Sequence, residues 1–578
     1  MMQIHIYAEQ GDIARVAREI ANGVDIDSIE EYSPKTPLMC ALSSSNAGMD
    51  MIRFLLEKGA NINAISQESE ETVLGLAVQS GNIDKIQFML DAGADINYQT
   101  EQGYDVLIDA MHGRDILLDD NLISILNLLI SRGAAVNGIT SYGETAIKVA
   151  AHVGRFDAVK LLLNAGANPE LLGWTQLMHA IVFGSLEQVN LLLEQGVQQD
   201  VRDCWHRTPW LLSIQVGELP KTKLLLAKGA NRNDVGNCGK TPLMYAIDNN
   251  QLDILQWLIA EGFDIEATDD FASTALMLAA SLGATDCVRV LLAAGANPSK
   301  SNNCNDPAIK IAGNLEIVRM LVASGEDLND INNEMRRALT GIDNNKFSLS
   351  QLTPEQYFAG KHPRFGKTNP ELMEIPFWQA MINHGCSAYA AKNFFDDTEN
   401  WQDKAWCYDR FGRTITQLPD GRIVEIAGEH EDYYDPDFCI YNDVVVYQGD
   451  GTFQIFGYPK EVFPPTDFHS ATLVGEYIYI IGNLGYLDTR ISHETPVYRL
   501  HCHTFKIEKI ATTGVKPGWI SGHKAYYRES DKIYITGGQL FVSGEDKSEY
   551  TDNLDDYILD LTNLSWSRIT GISEAAKE

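Results

Sequence analysis

The stretch "TPLMYAIDNNQLDILQWLIAEGFDIEATDDFAS", Thr241–Ser273, decides the fold of the first half of the chain. Thr241 precedes Pro242, and proline suits the first turn of a helix because its missing N–H would have no partner there. "LMYAI" then places apolar residues at helical spacing, and "LDILQWLIAEG" repeats that spacing in a second amphipathic helix. Gly262 closes the second helix, where a left-handed residue is required. A polar turn leads to the next threonine, Thr274. One such helix pair cannot bury its apolar face alone, so neighbours must stack on it.

The unit recurs. Threonines 175, 208, 241 and 274 fall 33 residues apart, with "DPAIKIA" at Asp306 a further 32 on. Earlier copies open at Thr36, Thr72 and Thr145. A second marker, of the kind "LLEKGANIN", places glycines at 59, 93, 133, 166, 196, 229, 262 and 295. Two markers recurring in phase resemble the ankyrin repeat. The resemblance implies an all-α solenoid of about ten units over residues 1–340, with "AEQGDIARVAREIANGVDID" as the first, capping unit. The histidine of the family's "TPLH" is replaced by Met39, Met178, Met244 and Met277, which exchanges a polar contact for apolar packing. After Gly103 an insertion, "MHGRDILLDDN", stretches one step to 40.

Ankyrin solenoids bind proteins through turn tips and a concave helical face, so the resemblance implies a surface rather than chemistry. The residues before each threonine lie in turns, and they include Tyr142, Trp174, Trp205, Arg207 and Phe271. Large aromatics and arginine in turns are interface anchors; each could equally fold back as a strut on its own repeat. As a row they are expected to form a partner-binding ribbon. Cys204, Cys238 and Cys304 also sit in turns. Adjacent repeats are about 10 Å apart, beyond disulfide reach, so free thiols are expected.

Residues 341–411 break the repeat. "NPELMEIPFWQAMINHGCSAYAAKNFF" reads as helical, with Asn369 as N-cap and Pro370 at the first position. "FDDTENWQDKAWCYDRFG" carries Trp401, Trp406 and Tyr408, too many aromatics for a flexible linker, so this segment is expected to be an ordered joint. From Gly412 the pattern alternates. "HSATLVGEYIYIIGN", His469–Asn483, reads as one plain strand, and His469 to His523 and Gly428 to Gly482 are both 54 residues apart. Three sets of about four strands over 412–570 resemble kelch repeats, which implies blades of a partial or small propeller; residues 571–578 form a tail. Propellers have 4–8 blades, so three leave open edges. The joint, the ankyrin stack or a second copy of the chain could cover them, which keeps a homodimer through the β part open.

Little in the sequence points to catalysis. His501 and His503 share a strand face without a third metal ligand at a telling spacing. The acidic run Glu429–Phe438 lacks the glycine of a calcium loop. The matching positions of His469 and His523 suggest a repeated hydrogen-bond role, the alternative being two inward histidines of an enzyme centre. No Walker loop, Rossmann fingerprint or nucleophile–base motif appears, and no cofactor is expected. The net charge of −34, with 79 acidic against 45 basic residues, argues against nucleic acid and suits solubility or a basic partner. There is no signal-peptide pattern at the N-terminus, no membrane-length apolar run, and nine scattered cysteines without a Cys-x-x-Cys, all of which fit a cytoplasmic chain. The expected function is a non-enzymatic protein-interaction scaffold with two platforms. The alternatives are an acidic inhibitor or immunity protein against a basic toxin or nuclease, and an enzyme centred on the β part.

Overall fold

A computed structural model describes residues 3–29, 34–44, 46–66, 70–112, 121–342, 349–397, 402–430, 437–528, 531–543 and 548–569. The chain divides into two compact units, Met1–Ala279 with Asp286–Ala296, and Ala280–Thr285 with Asn297–Glu578.

The first unit is a stack of short helix pairs, from Gln3–Glu9 with Ile13–Ala21 through Pro242–Asp248 with Leu252–Ala260. The recurring threonine is an N-cap. Thr72 Oγ1 accepts the amide of Gly75 at 2.8 Å, and Thr36, Thr145, Thr175, Thr208 and Thr241 each accept the amide three residues on. Each satisfies a donor that the first helical turn leaves orphaned, typically worth about 1 kcal/mol. The replacement methionines Met39, Met178 and Met244 are buried in this stack. The marker glycines are left-handed, with φ +96° at Gly59 and Gly229 and +97° at Gly166. A Cβ at these three positions would meet nothing within 4 Å, so the glycine is there for its backbone, not for space.

The second unit starts with the end of the solenoid. At Asp306–Gly313 the first helix of the pair is reduced to turns, and only the second, Leu315–Ala323, forms. Helix Asn333–Thr340 follows, and then the joint with helices Pro354–Gly360, Pro376–His384 and Ala388–Phe394. The N-cap expected at Asn369 is not there. The helix begins at Pro376, with Ile375 as its extended N-cap, because the residue before a proline resists helical geometry. Glu371–Leu372 is instead a short strand, β1. Asn369 brackets Ile507, donating to its carbonyl at 2.7 Å and accepting its amide at 3.0 Å, as a peptide group would. The joint is ordered by aromatic packing: Trp378 stacks on Trp406 at 4.9 Å, and Trp406 Nε1 donates to Asp443 at 2.8 Å. Trp401 lies outside the described residues.

Three antiparallel meanders of four strands follow. The first runs β2 (Thr414–Gln417), β3 (Ile423–Ile426), β6 (Val444–Tyr447) and β7 (Phe453–Gly457), and β1 extends its β7 edge. The second is β8 (Ser470–Val474), β9 (Tyr477–Ile481), β10 (Val497–His501) and β11 (Ile507–Lys509). The third is β14 (Lys524–Arg528), β15 (Lys532–Thr536), β18 (Asp556–Asp560) and β19 (Ser565–Ile569), with β12 (Thr513–Gly514) added in parallel at the β19 edge. Smaller sheets pair β4 (Glu429–His430) with β5 (Cys439–Ile440), and β13 (Trp519–Ser521) with β16 (Gln539–Ser543) and β17 (Ser548–Asp552). None of the sheets closes into a barrel among the described residues.

The middle meander explains the register. Alternation sends Ile478 and Ile480 into a core shared with Val424, Val444 and Val446 of the first meander. Tyr479 and Ile481 point the other way, into a core with Ile533, Ile535 and Leu559 of the third. The inner strands are tied by a repeating pair of bonds. Phe468 donates its amide to Gly412 at 2.8 Å and Gly522 to Phe468 at 2.7 Å. Beside them His469 Nε2 pairs with Thr414 Oγ1 at 2.7 Å and His523 Nε2 with Ser470 Oγ at 2.8 Å. Burial pushes both imidazoles down, to about 3 and about 4, so they stand as neutral hydrogen-bonding groups.

The outward face of the first meander is covered from within the chain. Arg336, on helix Asn333–Thr340, forms a buried bidentate pair with Glu425 of β3, its Nη2 2.6 Å from Oε2. Tyr447 OH donates to the same oxygen at 2.9 Å, and the guanidinium lies 4.0 Å from the Tyr408 ring centre.

Candidate protein-interaction face

The turns of the first unit are joined one repeat to the next by backbone bonds. Ser141 donates to Gln102 at 2.8 Å, Cys204 to Leu172 at 3.0 Å and Asp270 to Cys238 at 3.0 Å. These bonds tie the tips together in neighbouring pairs along the ribbon expected from the sequence. Cys204, Cys238 and Cys304 are free thiols.

The five residues singled out from the sequence do not share one environment. Tyr142 is 78% exposed and Phe271 58%, both at turn tips. Trp174 is half-buried; its Nε1 donates to Asp203 at 3.3 Å, and its ring packs against Phe156, His179 and the exposed Phe183. Trp205 is a strut. Its Nε1 donates to the Lys148 carbonyl at 2.8 Å, and its ring lies 4.2 Å from that of His152, whose pKa burial lowers to about 4. Arg207 is 1% exposed and faces inward, against its expected place on the ribbon's surface. Its Nε and Nη2 donate to Asp203 at 2.8 and 2.6 Å, and Nη1 donates to the Ala151 carbonyl at 2.7 Å. Asp203 Oδ1 also accepts the amides of Trp205 and Arg207, both at 2.9 Å. A charge this deep is tolerated because Nε, Nη1 and Nη2 of the guanidinium each find an acceptor, the Asp203 carboxylate among them. Asp203 and Arg207 thus shape the ribbon that Tyr142, Trp174 and Phe271 present.

A feature the sequence reading passed over lies one repeat earlier. A cleft of about 230 Å³ is lined by Glu70, Glu71, Asp95, Tyr98, Tyr104 and Asp109, among others. Asp109 sits on helix Val106–His112, and burial raises its carboxyl to about 7. The space for it comes from Gly75, where a Cβ would stand 2.6 Å from Asp109 Oδ2. The signal was in the alignment of repeats: the position of Asp109 is Cys40, Leu76, Val149, His179, Leu212, Tyr245 and Leu278 after the other threonines, with no second carboxylate among them. His112, the last described residue before the insertion, also lines the cleft; residues 113–120 lie outside the described ones.

On the β side, His501 Nδ1 accepts the amides of His503 and Thr504 at 3.1 and 3.3 Å, which makes it the organiser of its own turn. Of the acidic run Glu429–Phe438, residues 431–436 are outside the described ones.

Comparison with known proteins agrees with this architecture. The family profile described as ankyrin repeats (3 copies) matches residues 4–100, 116–203, 177–269 and 260–332, more than half of the chain. The chain belongs to the ankyrin-repeat family. It is similar to the ankyrin repeat protein YahD of Escherichia coli, 29% identical over 214 residues, which is 35% of this chain and 83% of that protein. It is also similar to the palmitoyltransferase AKR1 of Lachancea kluyveri, 27% identical over 204 residues. That match takes in 34% of this chain and spans only 27% of the length of the palmitoyltransferase. Ankyrin repeats generally mediate contacts between proteins. No described helix is long and apolar enough to cross a membrane.

Proposed function

We propose that the protein is an interaction scaffold that holds a protein partner along its ankyrin turns, with the three meanders, read as kelch-like blades, as a second platform. The observation that carries this reading is the ribbon of hydrogen-bonded turns with Tyr142 and Phe271 standing out from it. Exposed aromatics on a rigid support are typical anchors, since little side-chain entropy is lost when they are covered. The net charge of −34 and the acid-lined cleft favour a basic segment on the partner. The cover that Arg336 and its helix give the first meander favours a monomer over a homodimer through the β part.

The test is a photo-crosslinking amino acid placed at residue 142 or 271 of the full chain in lysate of the source cells. The same protein, captured from both positions and lost when the other residue is changed to alanine, supports the scaffold. Capture that is indifferent to both alanine changes overturns the ribbon. The second reading, an acidic inhibitor of a basic toxin or nuclease, is favoured by the same charge. It predicts an association rate that falls steeply between low and physiological salt, whereas aromatic anchoring does not.

A further inference from the structure

Two lysines are buried at one position of the repeat. Lys85 and Lys221 stand eight residues before the marker glycines Gly93 and Gly229, where the other marked repeats have Met51, Ile125, Ala158, Gln188, Ile254 and Cys287. They are 7% and 1% exposed. Each reaches back to the end of the first helix in the preceding repeat. Lys221 Nζ donates to the carbonyls of Ile181 and Gly184, both at 2.8 Å, and Lys85 Nζ to those of Leu42 and Ser44 at 3.3 and 3.2 Å. Carbonyls at a helix C-terminus lack partners in their own helix and carry its negative end, so an ammonium suits the place.

An ammonium has three donors. Lys221 directs the third to Glu218, three residues before it, at 2.8 Å. The residue three before Lys85 is Asn82, an uncharged N-cap whose side chain accepts the Lys85 amide at 3.1 Å. Burial alone pushes the Lys85 pKa below its ordinary 10.5, with no carboxylate acting to raise it. Lys85 lines an open cavity of about 750 Å³. The other basic side chains on its wall already face acids: Lys35 pairs with Glu71 at 3.2 Å, and His112 stands 3.4 Å from Glu144. Gly48 and Met49 also line it, at the start of helix Met49–Glu57, whose N-cap offers no side-chain oxygen. That positive helix end adds to the sign of Lys85.

We infer that this cavity takes a carboxylate of the partner, an aspartate or glutamate side chain that accepts the third Lys85 donor as Glu218 does at Lys221. The partner rests on the scaffold reading; the chemistry rests on Lys85. A buried cation facing a cavity with a donor to spare gains from a charged acceptor, and the same position one hundred and thirty-six residues on shows which group completes the arrangement. The cavity borders the acid-lined cleft, with which it shares Glu71 and His112. A partner segment that fills both would present an acidic and a basic side chain next to each other.

The experiment is saturation-transfer NMR on the full chain at low ionic strength, with the capped peptides Gly-Glu-Gly and Gly-Gln-Gly, with glutarate and with inorganic phosphate. The glutamate peptide is expected to bind at millimolar concentration, at least tenfold more tightly than the glutamine peptide. Lys85→Met should abolish that difference. Methionine already stands at this position as Met51, so the solenoid is expected to keep its helical melt. Asn82→Glu should abolish the difference with Lys85 in place, by supplying the carboxylate from within as Glu218 does. Phosphate binding as tightly as the glutamate peptide, no binding at millimolar concentration, or a difference that persists in both variants would each overturn the inference. Glutarate binding more tightly than the peptide would overturn the assignment to a protein side chain. Crosslinking from residues 142 and 271 reads the scaffold separately: if capture fails while the peptide still binds, the scaffold falls and the carboxylate site stands.

Discussion

Replacing Arg336 by methionine tests how the solenoid's last helix is joined to the first meander. Arg336 and Glu425 are 2% and 4% exposed, and the pair is bidentate. Burial alone would raise the Glu425 carboxyl, but the Arg336 guanidinium more than offsets this and holds it below its ordinary value of 4.5. Methionine would leave that carboxylate buried with Tyr447 as its remaining hydrogen-bond donor and Arg413 3.9 Å away. Stranding one member of a buried pair costs about 3–5 kcal/mol. Arg413 can lean in and reduce that, while the lost contact of Arg336 with the Tyr408 ring adds to it. The expected loss is about 3 kcal/mol, read from the β-rich unit's transition in urea at pH 7. The double change Arg336→Met with Glu425→Met should recover most of it, because two apolar side chains need no partners. Since the folded-state carboxyl is depressed, the pair's contribution is present above pH 4.5 and fades as the pH falls below it. A single variant within 1 kcal/mol of wild type, or a double variant as unstable as the single, would refute the argument.

Asp109→Asn should flatten the pH dependence of the solenoid. With its carboxyl raised to about 7, the native state holds a proton the unfolded chain has released, so stability falls as pH rises from about 4 to 7. The variant should therefore be more stable than wild type at pH 8, by about 2 kcal/mol, and no more stable at pH 4, as thermal melts at the two values will read. Gly229→Ala should cost about 1 kcal/mol in thermal melts through its φ of +96° alone, since the added methyl meets no neighbour. Trp205→Ala should lower the melting temperature by removing the indole bonded to Lys148. Tyr142→Ala and Phe271→Ala should leave it within a degree or two while abolishing partner capture, which separates support from contact.

The solenoid was legible in the sequence because its signals are local. Thr-Pro, the helical spacing of "LMYAI" and a glycine every 33 residues each act within one repeat, and neighbouring repeats only reinforce them. The three strand sets were legible for the same reason, through period-two alternation and matching glycines. Local signals also misled. Asn369-Pro370 has the form of a helix start, yet an edge strand formed there because β7 offered an open edge and Pro376 a later start. Tertiary structure alone decided which turn residues face a partner. Trp205 and Phe271 each stand three residues before their threonine, yet Trp205 is bonded to the Lys148 carbonyl while Phe271 is exposed, and Arg207 turned inward because Asp203, the Ala151 carbonyl and Gln215 together accept from its guanidinium. It also decided what covers the first meander, where Arg336 meets Glu425 across 89 residues of chain. Such pairings depend on where distant strands stack, and that is fixed by the shared cores around Ile478 and Ile533 rather than by any neighbour in sequence.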